Sequence, residues 1–228
     1  MNKKVDLVQQ VVATIEEWII SGKYKNMDLL PSEGDISTQL EVSRATARDA
    51  IRVLEVRGYL ERIHGIGVKV NNRSSQVAIK SLSSMIQRDG ISYEELLSVR
   101  RMIEPEAAYL AAQFAQQAER DILRECVEVM EVEEITSEIH QENDYIFHET
   151  LAKASGNRLL HTIVCSYSAL LLQQINDADT AAIAIETTHH FHRKIYECII
   201  NNDADGAKEH MLIHLHDTEK NLMQLNVV

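Results

Sequence analysis

Residues Leu30 to Val70 read LPSEGDISTQLEVSRATARDAIRVLEVRGYLERIHGIGVKV. The Pro31-Ser32-Glu33 start opens a short helical pattern over about 33–40, with Ser32 placed to cap it. Val42-Ser43-Arg44 forms a turn, and a second amphipathic helix runs from about Arg44 to Arg57. Ser43 is its cap, Gly58 follows its end, and Ala47, Ala50, Ile51 and Leu54 make its apolar stripe. Two β-prone runs, Tyr59–Ile63 and Val68–Val70, flank a glycine-containing tip, His64-Gly65-Ile66-Gly67. Helix, turn, helix, hairpin is the order of a winged helix-turn-helix, a layout that reads DNA.

Working outward, Val5–Ser21 carries a helical stripe of Val8, Val11, Val12, Ile15, Ile19 and Ile20, ended by Gly22. On the other side, Asn71-Asn72-Arg73-Ser74-Ser75 is polar and weakly structured, and a domain boundary is placed there, giving domains 1–73 and 74–228. Everything beyond reads as helices, over about 77–88, 92–115, 118–136, 138–154, 157–176, 184–201 and 204–224. Gly90, Gly156 with Asn157, Asn176–Asp179 and Asn201–Asp203 are the breaks. The expected fold is mostly α: an N-terminal winged helix-turn-helix domain and a C-terminal all-helical bundle.

The 228 residues suffice for two small domains, and two prolines, eight glycines and few aromatics suit a helical protein. No apolar run approaches the ~20 residues that span a bilayer, and the N-terminus lacks the apolar core of a signal peptide. Cys126, Cys165 and Cys198 form no CxxC, so they read as reduced core thiols of a cytoplasmic protein. The net charge of −12 argues against nucleic acid only until the chain is divided. Residues 1–73 hold 11 Lys+Arg against 10 Asp+Glu, whereas 74–228 hold 12 against 25. The acidity belongs to the second domain, and local arginine placement governs DNA contact.

Arg44, Thr46 and Arg48 begin the second helix of the motif, the end that enters the major groove. An arginine fork can donate to O6 and N7 of guanine together, and Ser43 and Thr46 can reach phosphate oxygens. Arg52 and Arg57, further along, suit backbone or solvent. His64 at the tip can enter the minor groove. Taken singly, such arginines are most often just a solvated helix face; the ordered set of turn, helix and hairpin reverses that reading.

This segment resembles the DNA-binding domain of GntR-family bacterial transcription regulators. The resemblance rests on Leu30-Pro31-Ser32-Glu33, Val42-Ser43-Arg44, Arg48-Asp49-Ala50-Ile51-Arg52-Val53-Leu54 and Gly65-Ile66-Gly67. It implies that Arg44, Thr46 and Arg48 contact the operator, with His64 and Gly65 at the wing tip. Relatives often carry Arg after the Glu of this motif; here Gly34 stands there, so that contact is expected to be missing.

In the second domain, Asp144 and His148 are four apart and share a helix face. His192 and His214 straddle the Asn201–Asp203 break, so a helical hairpin can join them. One carboxylate with three imidazoles suits Zn²⁺, Ni²⁺ or Mn²⁺. Spacing alone is weak evidence with ten histidines in the chain, and His140, His161, His189, His190, His210 and His216 read as core or surface residues. Here again a resemblance sharpens the reading. Residues from about 77 to 220 resemble the FCD effector domain of the FadR subfamily of GntR regulators. The carrying segments are Leu97–Ala108, Asp144 through His148 with Ser155-Gly156-Asn157, and His192-Arg193 with Asp203-Ala204 leading to His214. Many such domains bind a divalent metal through an Asp and three His, matching Asp144, His148, His192 and His214. Acyl-CoA-binding members lack that set. The resemblance further implies a small organic acid effector whose carboxylate touches the metal, with Arg100 facing the same cavity. The bland alternative for Arg100 is a surface salt bridge with Glu104. His189 and His190 can also reach the pocket.

The expected function is a ligand-responsive repressor that binds a pseudo-palindromic double-stranded operator as a homodimer. Two other classes compete. A ferritin-like enzyme needs paired Glu-x-x-His motifs, and only Glu186 to His189 qualifies; a hydrolytic centre of the His-Glu-x-x-His type is absent from the sequence. A regulator responding to metal occupancy alone is the third reading.

Overall fold

The computed structural model describes residues 3–71, 73–132, 135–174 and 190–224. The chain divides into two compact units, Met1–Ala78 and Ile79–Val228.

The first unit is built from α1 (Lys3–Ile20), α2 (Glu33–Gln39), α3 (Arg44–Val56), β1 (Leu60–Ile63) and β2 (Gly67–Val70). Local chemistry sets each boundary. Ser32 caps α2 reciprocally with Asp35, accepting from the Asp35 amide at 3.2 Å while the Asp35 carboxylate accepts from the Ser32 amide at 3.1 Å. Ser43 caps α3 through the Thr46 amide at 3.0 Å. Gly58 ends the α3 turn at φ +77, where a Cβ would lie 2.8 Å from a Val77 methyl, so any larger residue is doubly penalised. The hairpin pairs Leu60 with Val70 and Ile63 with Gly67, and turns through His64-Gly65-Ile66 with Gly65 at φ +73. Leu29 bridges Lys69, which ties the lead-in to α2 onto the open edge of β2.

Ala47, Ala50, Ile51 and Leu54 of α3 are all fully buried, packed with Val11, Val12 and Ile15 of α1 and with Val68 and Val70 of the hairpin. The expected α1 stripe is shifted by one position at its end. Ile20 is 77% exposed, and Trp18, a residue outside that stripe, closes the core instead.

α4 (Ser74–Arg88) starts before the division between the units and ends after it. The second unit continues with α5 (Tyr93–Phe114), α6 (Gln117–Met130), α7 (Ser137–Ala154), α8 (Arg158–Gln174), α9 (described over 190–200) and α10 (Ala204–Gln224). α5 packs along α10 and against α7, and α7 is flanked by α6 and α8. Phe147, Leu151, Ile195, Ile199, Met211 and Leu215 anchor the core these helices share. The helix expected over 118–136 ends early, at Met130, and Thr136 caps α7 through the Ile139 amide. After Gly156 at φ +72, Asn157 caps α8, its Oδ1 accepting from the Leu159 and Leu160 amides at 3.1 Å. Asn202 at φ +55 turns the chain between α9 and α10, and Asp203 accepts from the Gly206 amide at 3.0 Å. The expected break at Asn176–Asp179, the start of the helix expected from 184, Glu186 and His189 lie outside the described residues. Cys126 and Cys165 are buried free thiols, whereas Cys198 is only half-buried, not a core thiol. Among the described residues no helix is long and apolar enough to cross a membrane.

Candidate functional site

In the first unit, Ser43, Arg44 and Arg48 lie on the exposed start of α3, and His64 and Gly65 are exposed at the hairpin tip. Thr46 is placed differently from its neighbours. It is 4% exposed, and its hydroxyl sits 2.8 Å from that of Ser43, so its side chain completes the cap. Arg44, Arg48 and Arg62 line one groove of about 530 Å³ together with Pro31, Gly34 and Ile66. Glu33 organises this groove: its carboxylate accepts from Arg48 Nε at 2.9 Å and from Arg62 Nη2 at 3.2 Å. These pairs hold the Glu33 carboxyl below the usual range, Arg48 foremost. The Arg44 guanidinium lies over Gly34, where an added Cβ would stand 3.5 Å from Nη2. Arg52 is largely solvated, and Arg57 pairs with Glu16 at 2.7 Å. Sequence reasoning missed Glu33 as an organiser and Arg62 as a groove residue; Arg62 faces Glu33 only because the hairpin folds back, and no local pattern encodes that.

In the second unit, α7, α9 and α10 bring Asp144, His148, His192 and His214 together, and their ligand atoms all lie within 4.8 Å of one another. His192 Nε2 is 3.2 Å from Asp144 Oδ1 and 3.4 Å from His148 Nε2, and His214 Nε2 is 3.3 Å from His148 Nε2. Three imidazole nitrogens facing one point cannot all satisfy each other, because a neutral ring offers one donor and one acceptor. A divalent cation resolves the conflict. Ligands bonded at about 2.1 Å around a tetrahedral ion stand about 3.4 Å apart, which matches these separations. The donor set therefore fits a divalent metal.

The surroundings orient the ligands. His148 Nδ1 is 2.6 Å from Glu104 Oε2, which leaves Nε2 aimed into the cluster. Phe147 packs edge-on against His192 at 4.6 Å between ring centres. Glu104 is the hub: it accepts from Arg100 Nε at 2.7 Å, Arg100 Nη2 at 3.3 Å and the Tyr167 hydroxyl at 2.7 Å. The Arg100–Glu104 pair exists as the bland alternative supposed, yet it is buried, with side chains 6% and 3% exposed. Arg100 Nη2 also lies 3.3 Å from His148 Nε2, which places the guanidinium beside the ligand cluster.

Burial opposes charge on His148, but Glu104 and Asp144 outweigh it and push its pKa up to about 9. Burial takes His192 down to about 4, and takes His214 well below the usual histidine value with the other two rings adding to the effect. Asp144 is resisted by burial but held well below the carboxylate range by His148 and His192. In the metal-free site one proton, on His148, must therefore leave when a cation binds; His192 and His214 are already neutral. The raised pKa of His148 stabilises the metal-free fold fully below about 6.5, and that contribution is lost as pH rises through about 9. Metal affinity runs the other way. Isothermal titrations between pH 6.5 and 8.5 are expected to show affinity rising about tenfold per pH unit; a flat profile excludes a protonated His148.

Of the remaining histidines, His140 is buried, His161 half-buried beside Glu149, and His190 and His216 exposed.

A winged helix-turn-helix unit and a separate helical unit with a ligand cluster in its core define a ligand-responsive class of DNA-binding regulator. The chain belongs to the GntR family of bacterial regulatory proteins, with an FCD domain as its effector domain: residues 7–70 match "Bacterial regulatory proteins, gntR family", and residues 95–217 match "FCD domain". It is similar to the HTH-type transcriptional regulator LutR of Bacillus subtilis strain 168, 26% identical over 88% of this chain and 94% of that protein. It is likewise similar to the Glc operon transcriptional activator of Escherichia coli strain K12, 26% identical over 99% of this chain and 92% of that protein. The fold is shared with Streptococcus agalactiae GntR at a TM-score of 0.66 and 22% identity, covering 93% of this chain and 99% of that one. The protein is a transcription regulator with a DNA-binding and an effector domain, not an enzyme.

Proposed function

We propose that this regulator is a cytoplasmic homodimeric repressor of the FadR subfamily. It binds a pseudo-palindromic operator through Arg44, Arg48, Ser43, His64 and Gly65; Thr46, expected among them, is buried and serves the α3 cap instead. It releases that operator when a small organic acid binds at a divalent metal, Zn²⁺, Ni²⁺ or Mn²⁺, held by Asp144, His148, His192 and His214. Residues 1–73 act as the DNA-reading domain, and residues 74–228 as the effector and dimerisation domain. The observation that carries this reading is the meeting of four ligand atoms within 4.8 Å beside the buried Arg100 guanidinium.

The bound metal would supply a Lewis-acidic point that fixes one carboxylate of the effector. The protein's own groups do the rest. A guanidinium has five N–H donors, of which Glu104 takes two, so Arg100 keeps donors for a second carboxylate or a hydroxyl. Glu104 holds Arg100 and His148 in register with each other. Effector binding shifts the balance between DNA-competent and incompetent arrangements of the dimer by its differential affinity for them. The Escherichia coli relative is named an activator, so the sign of regulation is itself tested, with a reporter driven from the operator.

The test is a thermal-shift screen of metal-replete protein against small organic acids, followed by operator titrations. An acid at a hundred times its dissociation constant adds about 2.7 kcal/mol to wild-type stability. It is expected to add nothing to His192→Ala and to weaken operator binding only in the wild type. Release of operator by metal alone, with no acid adding to it, replaces this reading with a metal-occupancy sensor.

A further inference from the structure

α7 carries two pairs of ligand-type side chains, offset by one residue. Asp144 and His148 face the cluster shared with α9 and α10; Tyr145 and Glu149 lie one position further on, where α7 meets α8. On α8, His161 and Cys165 are four apart and share a face. Glu149 Oε1 is 3.6 Å from Cys165 Sγ and 3.5 Å from His161 Nε2.

We propose that Glu149, His161 and Cys165 form a second, thiol-containing cation site on the α7–α8 pair, taking a borderline divalent ion of the Zn²⁺ class.

Three observations support it. The first is chemical: a carboxylate, an imidazole and a thiol are the donor types such ions select, and here they meet with their ligand atoms within 4.8 Å of one another. The second is metric. Metal bonds of about 2.3 Å to sulfur and about 2.1 Å to oxygen or nitrogen give tetrahedral edges of about 3.6 Å and about 3.4 Å. The observed pairs stand at 3.6 Å and 3.5 Å. The third is an unmet need. His161 Nε2 is shut from solvent without a hydrogen-bond partner, since 3.5 Å to Glu149 is beyond hydrogen-bond length. A thiol-to-carboxylate bond between Cys165 and Glu149 would explain those two groups but not the third; a shared ion explains all three.

Glu149 and His161 retain 35% and 30% of their side-chain exposure, so the cluster lies near the surface of the α7–α8 pair. On binding, the Cys165 S–H bond breaks, an S–metal bond forms, and the proton leaves to solvent. The thiolate and carboxylate then neutralise the ion's two charges. The site goes beyond the effector reading, because none of its ligands belongs to the Asp144 cluster.

Cobalt titration of metal-stripped, reduced, full-length protein separates the two sites. Wild type is expected to bind two Co²⁺ per chain, one of them with an intense thiolate-to-cobalt charge-transfer band. Cys165→Ser should lose that band and one equivalent; Cys126→Ser and Cys198→Ser should keep both. His192→Ala should keep the band while losing the other equivalent, so failure of the effector site is told apart from failure of this one. His161→Ala, at a half-exposed position that tolerates change, should weaken the banded equivalent at least tenfold. A wild-type titration without the band, a band that survives Cys165→Ser, or an unchanged affinity in His161→Ala overturns the proposal.

Discussion

Glu104→Ala is expected to lower the unfolding free energy by about 3–5 kcal/mol, the cost of breaking a buried ion pair by removing one partner. Glu104 is 2% exposed and is the acceptor for both Arg100 and Tyr167. Without it the Arg100 guanidinium stays buried with no carboxylate opposite, and His148 loses the group that fixes its ring. Denaturant titration of metal-free protein reads the loss as a lower midpoint. Replacing both partners, Arg100→Met with Glu104→Leu, should cost much less, because the desolvation of the charges disappears along with their attraction. A single variant within 1 kcal/mol of wild type would show that the pair is not desolvated in solution. The same substitution should weaken metal binding by about 10- to 100-fold, the usual effect of deleting a ligand's orienting carboxylate. The pH dependence has a definite sign. The Glu104 pKa is resisted by burial but held far below the carboxylate range by Arg100 and His148. Its stabilisation is therefore present above about pH 4.3 and disappears only as pH falls through the folded-state value.

The first unit was legible in the sequence because its signals are local. Ser32, Ser43, Gly58 and Gly65 each mark a boundary by their own turn chemistry, and the α3 stripe of Ala47, Ala50, Ile51 and Leu54 appears as the buried face. Family assignment followed from the same residues. Where local chemistry was faint, the reading slipped. The end of α6 at Met130 is marked by neither glycine nor proline, and the better signal was downstream, in Thr136 as the cap of α7. The hub around Glu104 was not legible at all. Tyr167 lies 63 residues away and His148 lies on another helix, so no period or spacing connects them; Glu104 had the look of a surface partner for Arg100 until packing buried both. His161 had the same fate in reverse, plain in sequence and placed beside a carboxylate and a thiol by the α7–α8 packing.

Arg44→Ala and Arg48→Ala are each expected to weaken operator binding by about 1–3 kcal/mol, roughly 5- to 150-fold, if each donates a fork to a guanine. The two losses should differ in kind. Arg44 lies over Gly34, and the acid it influences, Asp35, is held chiefly by Ser32, so its loss removes a contact without leaving an acid deprived of its main partner. Arg48 neutralises Glu33 at 2.9 Å; its loss leaves that carboxylate with Arg62 alone, close to where phosphates would pass. Arg48→Ala should therefore fall at the upper end of the range and recover part of its loss in an Arg48→Ala, Glu33→Gln double variant. Glu33→Gln alone should tighten binding, since Arg48 is released from a competing anion, while Arg62 keeps its pair with Glu55 at 3.2 Å. The control that separates base contact from charge is Arg→Lys at each position. A lysine keeps the charge but not the fork, so a guanine contact is lost against the operator and spared against scrambled DNA, whereas a phosphate contact survives on both. Titrations at fixed salt on operator and scrambled duplexes decide it. Equal binding of both alanine variants and wild type to operator would remove Arg44 and Arg48 from the reading head and shift attention to Arg62 and the hairpin tip.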